Sequence, residues 1–122
     1  MTTEKKRILV VDDEACVTRQ IKRNLEQTQE FVVAEENQAN NALKTARNFK
    51  PDMIILDVMM PEMDGGALAS EFQSSATFKN VPIVFLTAAV TREEEGMRGG
   101  ERFLAKPVNT STLVQCLKEN LR

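Results

Sequence analysis

The residues able to do chemistry in this chain gather at the ends of its apolar runs. A run at 8–11 ends in Asp12-Asp13-Glu14, one at 53–56 in Asp57, one at 81–86 in Thr87, and one at 103–105 in Lys106-Pro107. Ligands of parallel α/β sheets sit at the carboxyl ends of the strands. If these runs are such strands, three carboxylates, a hydroxyl and an ammonium converge at one sheet edge. Each residue alone has an ordinary role: Asp12 or Asp13 as a helix cap, Asp57 as a turn residue ahead of Pro61, Thr87 as a cap, Lys106 as a solvated loop lysine. Together they pose an electrostatic problem. Asp12, Asp13 and Asp57 packed closely repel, and one is forced neutral unless a cation sits among them.

A Mg²⁺ ion answers that problem. It takes oxygen ligands in an octahedron, usually one or two carboxylates with waters and phosphate. Held by Asp12, Asp13 and Asp57, it is ready to bridge a phosphoryl group, while Lys106 neutralises a second phosphoryl oxygen and Thr87 donates a hydrogen bond to a third. Phosphoryl transfer asks for little beyond such positioning and charge stabilisation. A carboxylate nucleophile that becomes an aspartyl-phosphate is established chemistry, so the expected reaction is acceptance of a phosphoryl group on Asp57.

The elements that must position these residues are legible from apolar periodicity. Runs at 8–11, 31–34, 53–56, 81–86 and 103–105 fit buried strands. Between them lie stripes at helical spacing: Val17, Ile21 and Leu25; Ala39, Ala42, Leu43, Ala46 and Phe49; Leu68 and Phe72; Val114, Leu117 and Leu121. Strand and helix alternate, which predicts an α/β fold with a parallel sheet. The runs beginning at Ile8, Met53 and Val81 are continuously apolar, as strands covered on both faces are. Those near Val32 and Phe103 are shorter or mixed with charge, as edge strands would be. That placement gives the flavodoxin-like, doubly wound five-stranded order 2-1-3-4-5. The segment at 91–100, TREEEGMRGG, breaks the pattern. Thr91 and Glu94 could form a capping box, but Gly96, Gly99 and Gly100 each disfavour helix by about 1 kcal/mol. A short or degenerate fourth helix is expected there.

Composition bounds the rest. A length of 122 residues suits one domain, 1–122, and no linker, repeat or low-complexity tract interrupts it. With 16 basic against 18 acidic residues the chain lacks the positive excess that nucleic-acid binding uses, and without Trp or Tyr it has few platforms for stacking bases. Cys16 and Cys116 form no CxxC pattern and there is no His, which argues against zinc and for two reduced thiols. The basic MTTEKKR start leads into too short an apolar run for a leader or a membrane span, so no membrane is expected and a cytoplasmic location is.

The motifs RILVVDDE at 7–14, MIILDVMMPEMDGG at 53–66, PIVFLTA at 82–88 and FLAKPV at 103–108 resemble the receiver domain of bacterial two-component response regulators, of the single-domain chemotaxis kind. The resemblance runs from Arg7 to Leu121. It implies that Asp57 is the phospho-acceptor, that Asp13 and Asp57 bind Mg²⁺ directly and Asp12 through water, and that the Met59 backbone carbonyl is a further ligand. It implies that Lys106 pairs with the phosphoryl group, that Thr87 moves toward it and Phe103 follows as the switch aromatic, and that the Lys106-Pro107 bond is cis. The implied donor is a sensor histidine kinase or a His-phosphotransfer protein, and the implied output is a changed set of contacts with an unidentified downstream protein. Receivers often form homodimers, and no apolar patch in the sequence decides this. Such a domain is no enzyme in the usual sense: it catalyses only its own phosphoryl transfer and dephosphorylation.

Two rival readings are weaker. An unphosphorylated receiver-like binding module would be expected to lose some of Asp12, Asp13, Asp57, Thr87 and Lys106, yet all are present. A Mg²⁺-dependent phosphatase of the haloacid-dehalogenase kind needs a second Asp where this chain has Met59. The chain departs from the family pattern in one place: the spacing from Thr87 to Lys106 is short, and the missing length falls in the weak fourth helix. The family commonly uses the surface of the fourth helix, fifth strand and fifth helix for partners, so that surface is expected to be remodelled here, with output through another face.

Met59 and Ala89 stand two residues after Asp57 and Thr87, at positions that in similar proteins tune hydrolysis of the phosphoryl group. Neither side chain can orient a water or act as a base. A phospho-Asp57 half-life well beyond seconds is therefore expected in the isolated domain, measured by loss of the phosphoryl mass with time; decay within seconds would contradict it.

Overall fold

Parallel strands need crossovers, and the helical stripes supply them. The computed structural model describes residues 5–60, 65–87, 96–98, 101–106 and 109–120. Within these, strand β1 (Lys6–Val11) leads to helix α1 (Ala15–Gln27) and strand β2 (Phe31–Glu36). A 3-10 turn (Ala39–Asn41) and helix α2 (Ala42–Phe49) lead to strand β3 (Met53–Asp57). Helix α3 (Gly65–Ser74), strand β4 (Ile83–Thr87), strand β5 (Gly96–Arg98), strand β6 (Glu101–Ala105) and helix α4 (Thr110–Asn120) complete the order.

The sheet runs β2-β1-β3-β4-β6-β5. Its five parallel strands keep the expected order, with β6 as the fifth. Within the segment expected to hold a short fourth helix, residues 96–98 form strand β5, antiparallel to β6, with Arg98 opposite Glu101. The two residues between that pair are Gly99 and Gly100. With β5 in place, β6 is flanked on both sides and β2 is the outer parallel strand. Residues 91–95, Ala89, the Lys106-Pro107 peptide and Leu121 lie outside the described residues.

Side chains alternate across a strand, and the sheet divides its apolar residues by that rule. Ile8, Val10, Met53, Ile55, Val84, Leu86 and Leu104 pack on one face with Ile21 and Leu25 of α1 and Leu113, Cys116 and Leu117 of α4. Leu9, Val11, Ile54, Leu56 and Phe85 pack on the other with Ala42 and Ala46 of α2 and Leu68, Ala69 and Phe72 of α3. The result is a three-layer sandwich in which β1, β3 and β4 are covered twice. The buried line of α1 runs through Thr18, Ile21 and Leu25, and Val17, expected in the stripe, lies at its margin.

Phe72 anchors the α3 side. It is fully buried and meets Phe78 edge-on, with ring centroids 5.4 Å apart and planes at 83°. Phe72→Ala is expected to destabilise the domain by about 3–5 kcal/mol, measured by urea unfolding; a loss below about 1 kcal/mol would mean that α3 collapses onto the gap.

Candidate functional site

Sheet register brings the chemical residues together. Val11 is level with Leu56, Asp57 with Leu86, and Thr87 with Ala105. The residues that end β1, β3, β4 and β6 therefore share one edge, and the ladder continues one step into the loops. Asp12 N–H donates to the Glu36 carbonyl at 3.1 Å, Val58 N–H to Leu86 at 3.0 Å, and Lys106 N–H to Thr87 at 3.0 Å. Asp12, Asp57 and Thr87 are all buried.

The Lys106 ammonium sits among the carboxylates. Its Nζ lies 2.6 Å from Asp12 Oδ2, 3.3 Å from Asp57 Oδ1 and 3.3 Å from Glu14 Oε1. Asp12 Oδ1 accepts the Glu14 N–H at 2.9 Å, and Asp57 Oδ1 accepts the Met59 N–H at 3.4 Å. Asp13 is exposed beside them, and carboxylate oxygens of Asp12, Asp13 and Asp57 lie within 4.8 Å of one another. Burial, and then the charge of Asp12, raises the Asp57 carboxyl above its ordinary pKa. Burial also raises Asp12, an effect that Lys106 partly offsets. Burial alone would lower Lys106, but its contact with Asp12 and the charges of Asp12 and Asp57 hold the ammonium well above its ordinary value.

The donor set suits a hard divalent cation: three carboxylates and no nitrogen or sulfur ligand. Asp12 Oδ2 adds an observation of its own. Buried, it accepts no well-aligned hydrogen bond among the described residues, and the Lys106 ammonium is its charge partner. An under-satisfied buried carboxylate oxygen invites a second cation.

Every sequence-predicted site residue falls at this edge or on the elements beside it. Asp12, Asp13 and Asp57 cluster, and Lys106 pairs with Asp12 and Asp57. Thr87 ends the neighbouring strand. Met59 follows Asp57 and is 69% exposed. Phe103, half-buried on β6, stacks on Phe85 with ring centroids 5.0 Å apart and planes at 20°. The sequence did not reveal the Glu14 contact to Lys106, since nothing in a three-carboxylate run says which one meets a lysine 92 positions away. It also did not reveal Thr18, a buried polar residue on α1, although a Thr flanking an apolar stripe at i+3 and i+7 was a usable sign.

Gly65 fixes the loop after Asp57. Its N–H donates to the Val58 carbonyl at 2.8 Å. A Cβ there would overlap the Asp57 carbonyl oxygen and sit 2.8 Å from Val58 Cα, both backbone atoms that cannot swing aside. The first turn of α3 can approach the end of β3 this closely only with glycine. Gly65→Ala is expected to destabilise the domain by about 1–3 kcal/mol and to shift the amide resonances of residues 57–59; wild-type stability and spectra would show that the backbone tolerates the methyl.

Comparison with known proteins agrees with this geometry. The family model for the response regulator receiver domain matches residues 8–118. The chain is 33% identical over 116 residues to the transcriptional regulatory protein PdtaR of Mycobacterium tuberculosis, covering 93% of this chain and 55% of that protein. It is 33% identical over 123 residues to the alkaline phosphatase synthesis transcriptional regulatory protein PhoP of Bacillus subtilis, covering 96% of this chain and 49% of that one. The chain thus spans about half the length of these relatives. Its fold superposes on the chemotaxis response regulator CheY4 of Vibrio cholerae with a TM-score of 0.82 and 29% identity, covering 97% of this chain and all of that one. The acidic edge with its lysine, the parallel order 2-1-3-4-5 and the matched sequence together make this chain a member of the response regulator receiver domain family, the signalling modules of two-component systems.

Proposed function

We propose that Asp57 accepts a phosphoryl group in a Mg²⁺-dependent reaction and that the domain is the switch of a two-component phosphorelay. The observation that carries this reading is the placement of Asp57. It is a nearly buried carboxylate at the end of a central strand, with the Lys106 ammonium 3.3 Å from Oδ1 and two further aspartates beside it. Asp12, Asp13, Asp57 and the Met59 backbone carbonyl would hold the ion. When bound, Mg²⁺ neutralises charge on the phosphoryl oxygens and helps align donor and acceptor.

The chain's own residues do the rest. A phosphohistidine of a sensor histidine kinase or His-phosphotransfer protein presents its phosphoryl group in line with the Asp57 carboxylate. An Asp57 oxygen forms the new P–O bond as the P–N bond breaks; the electron pair leaves with the imidazole, which takes a proton. Lys106 keeps its proton throughout, because its carboxylate neighbours hold the ammonium far above neutrality. It turns from Asp12 and Asp57 to a phosphoryl oxygen as charge builds there. The Thr87 hydroxyl then bonds another oxygen, and Phe103 leaves its stack on Phe85 for a more buried packing. A local charge change thereby biases two packings of one surface, and the downstream protein reads the difference. A cytoplasmic location and a homodimer belong to the same reading. No described helix is long and apolar enough to cross a membrane.

Intact-mass measurement after incubation with acetyl phosphate and Mg²⁺ tests the reading. Wild type is expected to gain one phosphoryl group, and Asp57→Asn or omission of Mg²⁺ to abolish the gain. A gain retained in Asp57→Asn would move the acceptor elsewhere; no gain in any sample, including one given a cognate kinase, would favour the unphosphorylated binding module.

A further inference from the structure

Asp12, Asp57 and Thr87 serve the site, but the fourth buried polar residue among those described, Thr18 on α1, has no part in the reaction above. A buried hydroxyl destabilises unless hydrogen-bonded. Thr18 could satisfy its own through the Ala15 carbonyl, 3.1 Å away on the same helix. The structure gives it more. Its Oγ1 lies 2.8 Å from Glu35 Oε1 and accepts the Asn37 Nδ2–H at 3.0 Å. Asn37 sends its other N–H to the backbone carbonyl of Asp12 at 2.9 Å.

The direction of this chain of bonds is forced. The Asp12 carbonyl can only accept, so the amide nitrogen of Asn37 must face it. The second amide hydrogen then points at Thr18, whose one proton is left for Glu35 or the Ala15 carbonyl. Asp12 N–H already donates to the Glu36 carbonyl, so the end of β2 grips both backbone polar groups of Asp12. Fixing that carbonyl fixes the peptide plane between Asp12 and Asp13. The plane sets where the exposed Asp13 carboxylate stands relative to the buried carboxylates of Asp12 and Asp57.

We propose that Thr18 and Asn37 are positioning residues that orient the Asp12-Asp13 loop for divalent-cation binding. The proposal rests on the metal-site reading above and extends it to two residues that touch neither ion nor phosphoryl group. Supports behind a metal site alter affinity by about 10–100-fold when removed, and the lower end fits a contact made to backbone.

Amide-shift titration of the full chain with MgCl₂ tests it, with unfolding followed in parallel. Asn37→Ala and Thr18→Val should each raise the Mg²⁺ dissociation constant about tenfold. The double variant should be no weaker than Asn37→Ala alone, as members of one network are not additive. Ile21→Val, on the same buried line of α1 but outside the network, should lose stability while keeping wild-type affinity. Asn37 is only half-buried, so its variant stays readable should Thr18→Val unfold. Wild-type affinity in Asn37→Ala, or an equal loss in Ile21→Val, would overturn the proposal. A wild type without any Mg²⁺-dependent shift would overturn the metal-site reading itself, a separate and recognisable result.

Discussion

The burial of two carboxylates beside one ammonium is the constraint on which the rest depends. Asp12 and Asp57 are almost without solvent, and like charges so placed are unfavourable unless a cation compensates them. Lys106 provides that compensation with Nζ between the two. The arrangement is under-determined in a useful way. Lys106 meets Asp12 and Asp57 while Asp13 stands exposed beside them, a set of oxygen donors that suits a divalent cation.

Holding such a cluster requires a frame that does not yield. The doubly covered strands β1 and β3 supply it, since their side chains interdigitate with helices on both faces and leave no room for either aspartate to retreat. Two local devices refine the aim. The glycine at the start of α3 lets the helix press against the backbone of Asp57, and hydrogen bonds to Glu36 and Asn37 pin the backbone of Asp12 on both sides. The aromatic pair of Phe85 and Phe103 lies on the α2/α3 side of the sheet, one strand pair over from Asp57. Phe103 keeps partial exposure, whereas Phe85 beneath it is buried.

The short antiparallel strand β5 changes the outer end of the sheet. Residues 96–98 form a strand laid along β6, which flanks β6 with hydrogen-bonded backbone on its outer side.

The sequence by itself determined the alternation of strand and helix, the parallel order, and the identity of Asp12, Asp13, Asp57, Thr87 and Lys106 as a set. All of these follow from local signals: apolar runs, helical spacing, and polar residues placed where runs end. Strand β5 at 96–98 was not legible, because a three-residue strand has no apolar run of its own and exists through its pairing with β6. Tertiary structure alone decided which carboxylates meet Lys106, that Glu14 is among them, that Val17 cedes the buried line of α1 to Thr18, and that Asn37 reaches back to Asp12. Those contacts join residues far apart in the chain, and their formation depends on register and helix rotation to within an ångström. Periodicity fixes which face a residue takes, but not which distant partner it finds there.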